Sequence, residues 1–126
     1  MRLLIVGNGP AGFSLAKELY NDFEVEILDR ECAPYYNKPM LSHYIDGLID
    51  REKLFMYSEE WYEEKGIKLR LGVNARRVDI SSKRVIADGG SFDYDILVLA
   101  TGAVVLGDIK KSIEMERMIK ESLQFI

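Results

Sequence analysis

Gly7-Asn8-Gly9-Pro10-Ala11-Gly12 is the stretch on which the fold of this chain turns. These residues fit G-x-G-x-x-G, a pattern that carries meaning only where it joins a strand to a helix and an acidic residue closes the next strand. Leu3, Leu4, Ile5 and Val6 form an uninterrupted apolar run ending at Gly7, as a strand buried on both faces of a parallel sheet requires. Over residues 10–20, Gly12, Leu15, Ala16 and Leu19 fall at i, i+3, i+4 and i+7 while Lys17 and Glu18 point away, and Pro10 stands where a first helical turn tolerates it. Val25, Ile27 and Leu28 then predict a second strand that stops at Asp29. Strand, helix, strand in this order is the parallel βαβ unit.

Each glycine has a distinct task in such a unit. Gly7 permits the tight turn, Gly9 lets the backbone approach a pyrophosphate with no side chain in the way, and Gly12 lets the helix lie close on the sheet. The free N–H groups of the first helical turn face the phosphates, and the helix dipole adds about 0.3–1 kcal/mol for each favourably placed charge. Asp29 is of the type that accepts hydrogen bonds from adenosine ribose hydroxyls and so argues against a 2′-phosphate, whereas Arg30 beside it is of the type that would take one. An adenine dinucleotide is therefore the expected ligand. The loop alone does not choose between FAD and NAD, because both present an ADP half to it.

Outward from this unit the signals weaken. Residues 32–39 are turn-like and rich in Tyr and Pro, and short helices are expected at 40–45 and at 58–65, the second between Ser58 as N-cap and Gly66 as stop. Trp61 and Tyr62 read as residues that pack that helix. Residues 67–71 and the segment around Val78 and Ile80 alternate like half-exposed strands, and residues 83–94 read as a hairpin turning at Asp88-Gly89-Gly90. Residues 96–100 predict a second fully buried strand ending at Thr101-Gly102. Residues 108–126 predict an amphipathic helix with Ile109, Met115, Met118, Ile119, Leu123 and Ile126 mostly on one side. The expected class is α/β: a Rossmann-like domain with a parallel sheet and a small antiparallel β-meander over residues 1–103, then a strand-helix tail over 104–126.

Composition narrows the function. The chain has 126 residues, 48% of them apolar and 30% charged, which suffices for one packed domain, excludes disorder as the main state and leaves no room for a second full domain. Its net charge is −4 with no block of five like charges, so no nucleic-acid partner is expected. Apolar runs are too short to cross a bilayer, and the N-terminus meets Gly7 before a signal segment could form, so a cytoplasmic protein without a membrane partner is expected. Cys32 is the single cysteine and His43 the single histidine, which excludes an intrachain disulfide and a zinc cluster. Redox chemistry would have to come from a bound cofactor.

With Pro34-Tyr35-Tyr36-Asn37-Lys38-Pro39-Met40-Leu41-Ser42 and Leu97-Val98-Leu99-Ala100-Thr101-Gly102-Ala103 added to the glycine loop, the chain resembles the pyridine nucleotide-disulfide oxidoreductase family over about residues 1–103. Within it, the Lys38-Pro39 segment is most similar to the rubredoxin reductase, NADH oxidase and nitrite reductase-related group. Enzymes of this family bind FAD in an N-terminal domain, take hydride from NAD(P)H in a second Rossmann domain and carry a third domain. The resemblance implies that Gly9, Pro10, Ala11 and Gly12 hold the FAD pyrophosphate and that Asp29, with Arg30 beside it, holds the adenosine ribose. It also implies Lys38 and Pro39 at the flavin, Lys38 as a cation near the isoalloxazine. Ala75 would hold the adenine through its backbone, and Ala100, Thr101 and Gly102 would pass beside the pyrophosphate and ribityl chain. Ser42 stands where disulfide reductases of the wider family place a redox cysteine, and Cys32 does not align with that site. The resemblance thus implies electron transfer directly from flavin to oxygen, rubredoxin or another small redox protein. His43 reads as a packing or surface residue.

The family pattern breaks after Ala103. The chain has no second glycine loop, and although Val104-Val105-Leu106-Gly107-Asp108 superficially resembles the family's returning Gly-Asp strand, residues 102–105 leading into 108–126 better resemble the last strand and helix of the C-terminal domain. Asp108 is then a helix N-cap. On this reading the NAD domain is missing and the open sheet edge must be covered by the tail, by FAD or by a partner; the amphipathic tail helix, with no family site left to dock in, makes a homodimer or a complex, as with an NAD-domain subunit, the expectation. The expected function is that of an FAD-binding, NAD(P)H-dependent oxidoreductase. Two alternatives stand beside it: a non-catalytic dinucleotide-binding subunit or remnant, and an NAD-binding Rossmann module, which would leave Lys38-Pro39 and Thr101-Gly102 unexplained.

Overall fold

The computed structural model describes residues 1–103. The expected tail helix, the Asp108 cap and the 104–126 tail lie outside the described residues. Two compact units separate by their internal contacts, one formed by Met1–Tyr35 and Tyr57–Thr101, the other including Tyr36–Met56 and Gly102.

In the first unit β1 (Arg2–Val6), α1 (Pro10–Leu19) and β2 (Glu24–Leu28) form the expected βαβ unit. β1 lies parallel to β2 with Val6 opposite Leu28, and parallel to the last described strand, Ile96–Leu99, with Val6 opposite Leu99. A short strand, Lys68–Arg70, extends the sheet on the other side of β2. Two-residue alternation sorts the β1 run onto both faces of the sheet. Leu3 and Ile5 join Val25, Ile27, Phe13 and Ala16 under α1, whereas Leu4 and Val6 join Leu28, Val85 and Tyr94 on the opposite face.

Phe13 is the centre of the α1 face. Its ring stacks on Tyr35 with centroids 4.3 Å apart and meets Tyr57, Trp61 and Tyr62. The sequence periodicity passed over Phe13, which is more deeply buried than the Leu15 and Leu19 it selected.

After the second unit come the helix Glu59–Glu64 and then the sheet strand Lys68–Arg70. Counting the short helices Leu41–Ile45 and Arg51–Leu54 of the second unit as α2 and α3, Glu59–Glu64 is α4, and Lys68–Arg70 is β3. Ser58 occupies the expected N-cap position of α4 without a side-chain cap bond. Gly66, at φ +69°, ends the turn, and the Ile67 N–H bonds back to the Tyr62 carbonyl.

β4 (Ala75–Asp79), β5 (Arg84–Ala87) and β6 (Gly90–Asp93) form the antiparallel meander. The hairpin turn is tighter than expected: Ala87 pairs with Gly90, so Asp88 and Gly89 alone make the turn, with Gly89 at φ +85°. β4 carries a bulge between Ala75 and Arg77.

One expectation fails. The strand Ile96–Leu99, now β7, is not buried throughout, for Leu99 is 62% exposed and Ile96 37%. The sheet order β3-β2-β1-β7 makes β7 an edge strand, with β1 as its only neighbour among the described residues. A continuous apolar run records two apolar faces; it does not record whether a further strand stands alongside.

The second unit holds the 3₁₀ turn Lys38–Met40, followed by α2 (Leu41–Ile45) and α3 (Arg51–Leu54). Its own small core is Tyr36, Leu41 and Leu54, with Met40, Tyr44, Ile49 and Phe55 packed against them. α3 has no counterpart in the sequence reading, because one turn of helix is too short to show periodicity.

Candidate functional site

The carboxyl ends of β1, β2 and β7 lie side by side, and the residues singled out by sequence follow them one step on: Gly7 after Val6, Asp29 after Leu28, Ala100 after Leu99. Backbone hydrogen bonds stitch these exits together. Gly7 N–H donates to the Leu28 carbonyl at 2.8 Å and Ala100 N–H to the Val6 carbonyl at 2.8 Å, so the start of the loop is held from both sides. In open α/β sheets, the crevice outside the carboxyl ends of the strands is where ligands bind.

The glycines divide in the way a phosphate cradle demands. Gly7 has φ +107°, and a Cβ there would run into the Ala100 carbonyl. A Cβ on Gly12 would run into the Gly7 carbonyl oxygen, so helix and loop touch backbone to backbone. Over Gly9, by contrast, nothing lies within 4 Å of where a Cβ would stand. Gly9 is the N-cap of α1 and makes no side-chain cap, Pro10 lies in the first turn, and that turn contains no acidic residue. Pro10 and Ala11 are exposed, so the first-turn backbone of a ten-residue helix opens outward free of negative side chains.

Asp29 is half-buried and tightly held: its N–H donates to the Arg70 carbonyl at 2.9 Å and its carbonyl accepts the Val73 N–H at 2.9 Å. Arg30 beside it is exposed. Through that Val73 bond the segment leading into Ala75 runs next to Asp29, and Ala75 itself opens β4, half-buried. Gly7, Gly9, Pro10, Ala11, Gly12, Asp29, Arg30, Ala75, Ala100 and Thr101 thus belong to one unit. Lys38, Pro39 and Gly102 belong to the other. There Lys38 and Pro39 open the 3₁₀ turn, both exposed, with the Lys38 ammonium 5.9 Å from the Tyr36 ring centroid. Gly102 adopts φ +70°. Ser42 and His43 are exposed on α2, and Cys32 is an exposed free thiol.

The sequence reading missed one polar feature beneath the loop. Asn8 is 4% exposed; its Nδ2 donates to the Tyr62 hydroxyl at 3.0 Å, while its Oδ1 is sealed from solvent without a donor among the described residues. The Tyr35 N–H donates to the same phenol oxygen at 3.3 Å. Burial raises the Tyr62 pKa above the usual tyrosine range; the two donated hydrogen bonds oppose the shift and the negative charge of Asp29 adds to it. Tyr62 packs its helix as expected, but its link to Asn8 spans 54 residues and leaves no local signal.

The family model of the pyridine nucleotide-disulphide oxidoreductases matches residues 1–115. The NAD(P)H nitrite reductase of Bacillus subtilis is 34% identical over 131 aligned residues, spanning 96% of this chain and 16% of its own length. The putidaredoxin reductase of a covalent complex with putidaredoxin superposes with a TM-score of 0.76 at 29% identity, over 87% of this chain and 29% of that one. The NADH:rubredoxin oxidoreductase of Clostridium acetobutylicum has the same fold, with a TM-score of 0.77 at 24% identity over 95% of this chain and 36% of that one. The chain therefore spans only about a sixth to a third of the proteins it matches. Among the described residues no helix is long and apolar enough to cross a membrane.

Proposed function

Since the chain belongs to the pyridine nucleotide-disulphide oxidoreductase family, we propose that it is the FAD-binding part of an NAD(P)H-dependent reductase that delivers electrons to a small redox protein or to oxygen without a redox disulfide. The observation that carries this reading is the division among the glycines. Gly7 and Gly12 are filled in by the protein's own backbone, whereas Gly9 faces open space. Packing alone accounts for the first two; a ligand approaching the backbone accounts for the third. The exposed first turn of α1, free of acidic side chains, suits a pyrophosphate, and the firmly held Asp29 suits a ribose diol.

On this reading Gly9, Pro10, Ala11 and Gly12 bind the pyrophosphate, with backbone N–H groups as donors where Pro10 has none. Asp29 orients the adenosine ribose, and Arg30 flanks it. Ala75 offers its backbone to the adenine, Ala100, Thr101 and Gly102 border the ribityl chain, and Lys38 with Pro39 is assigned to the flavin end. Bound FAD would supply a two-electron acceptor for hydride that can pass its electrons onward. Gly7–Gly12 is the one G-x-G-x-x-G in the chain, so the nicotinamide donor's own cradle would come from another domain or subunit. That same observation favours a second reading, in which this chain binds the dinucleotide and leaves turnover to a complete partner.

Anaerobic addition of NADH to the FAD-loaded chain separates them. Bleaching of the flavin bands supports a working reductase part; flavin that stays oxidised supports the binding subunit.

A further inference from the structure

We propose that Tyr62 is a positioning residue for the dinucleotide loop, its phenol oxygen anchoring both the Asn8 side chain of the loop and the Tyr35 backbone. This rests on the dinucleotide reading above. Between Val6 and Pro10 the loop is Gly7-Asn8-Gly9, so Asn8 carries the only side chain by which the loop can be held. Asn8 is also the one buried polar or charged residue among the described residues, and its Nδ2 lies 3.0 Å from the Tyr62 oxygen. The Tyr35 N–H reaches that oxygen at 3.3 Å, from the segment that follows Asp29.

The post is rigid. Tyr62 is 1% exposed, and its ring packs edge-on against Trp61, with centroids 5.2 Å apart, and lies tilted against Phe13 of α1 at 6.2 Å. Burial, with the nearby Asp29 charge adding to it, raises the phenol's pKa above the usual tyrosine range. A phenylalanine would fill nearly the same volume but leave the buried Asn8 amide and the part-buried Tyr35 N–H without this acceptor, freeing the loop to rotate while the core stays packed. Side chains that lock the geometry of a site from outside it act in this way.

The test uses the full 126-residue chain and its Tyr62→Phe variant. FAD and ADP dissociation constants are measured well below the variant's melting temperature, where both proteins are fully folded. Hydrogen exchange is followed on the ligand-free chains. A positioning role predicts that FAD and ADP both weaken by about tenfold, because the freed loop must then be ordered on binding. It also predicts faster exchange at the Gly7 and Phe13 amides, whose bonds to Leu28 and Gly9 define the loop, with unchanged exchange at Val85 in the meander. A lower melting temperature with unchanged affinities and unchanged exchange at Gly7 and Phe13 would overturn it. If the wild-type chain binds neither FAD nor ADP, the dinucleotide reading falls, and exchange at Gly7 and Phe13 still decides whether Tyr62 holds the loop.

Discussion

Gly7 and Ala100 meet with no room for a side chain between them: a Cβ on Gly7 would collide with the Ala100 carbonyl, and Gly7 already has φ +107°, where L side chains are strained. The turn out of β1 and the exit from β7 are thus one close-packed backbone contact. Gly7→Ala is expected to destabilise the fold by about 3 kcal/mol or more, from strain and overpacking together. Chemical denaturation of the ligand-free chain measures this, and a variant as stable as wild type would mean that the two strand exits are not in contact.

Gly9→Ala should behave in the opposite way. At φ −81° any residue is tolerated, and the new methyl meets no protein atom. Loss of stability should stay within about 0.5–2 kcal/mol, the range for losing a favoured N-cap residue to alanine. FAD affinity should fall by more than about tenfold, because the methyl would stand where the pyrophosphate must approach the backbone. Equal affinity for FAD would move the phosphates away from this loop.

Asp29→Asn isolates charge from shape. The side chain keeps its shape, and the backbone bonds to Arg70 and Val73 are retained. A hydrogen bond to a charged acceptor contributes about 1.5–3 kcal/mol, so FAD and ADP affinities should drop by roughly ten- to a hundredfold. Isothermal titration with ADP alone is sufficient, and unaltered ADP binding would remove Asp29 from the ribose.

The glycine loop was legible because its logic is local: a strand, a turn and a helix within twenty residues, each leaving its own period. The same holds for Asp88-Gly89, where a tight turn needs a positive φ. What escaped depends on tertiary neighbours. Phe13 lies off the stripe chosen by periodicity, and it becomes the centre of the α1 face only because Tyr35, Tyr57 and Trp61 arrive there from elsewhere in the chain. Leu99 looked buried by its apolar run and is exposed because β7 stands at the sheet edge. The Asn8–Tyr62 bond joins two residues with no sequence relation at all. Backbone positions of the site could be read from sequence, whereas the side chain that supports them could not.

Tyr62 also predicts a pH dependence. Its pKa in the fold is raised above the usual tyrosine range, chiefly by burial, so the protonated phenol is favoured by folding. A raised pKa contributes stability that is fully present below the unfolded value and is lost as pH rises through the folded one. Denaturation midpoints should therefore fall more steeply above about pH 10 in wild type than in Tyr62→Phe. Parallel curves would show that Tyr62 ionises as freely in the fold as in the unfolded chain.

The most direct measurement is the absorbance spectrum of the purified chain after incubation with excess FAD and removal of unbound cofactor. Binding through the glycine loop predicts stoichiometric flavin retained by wild type and displaced by excess ADP. A colourless protein, or retained flavin that ADP does not displace, would contradict an FAD site built on Gly9 and Asp29.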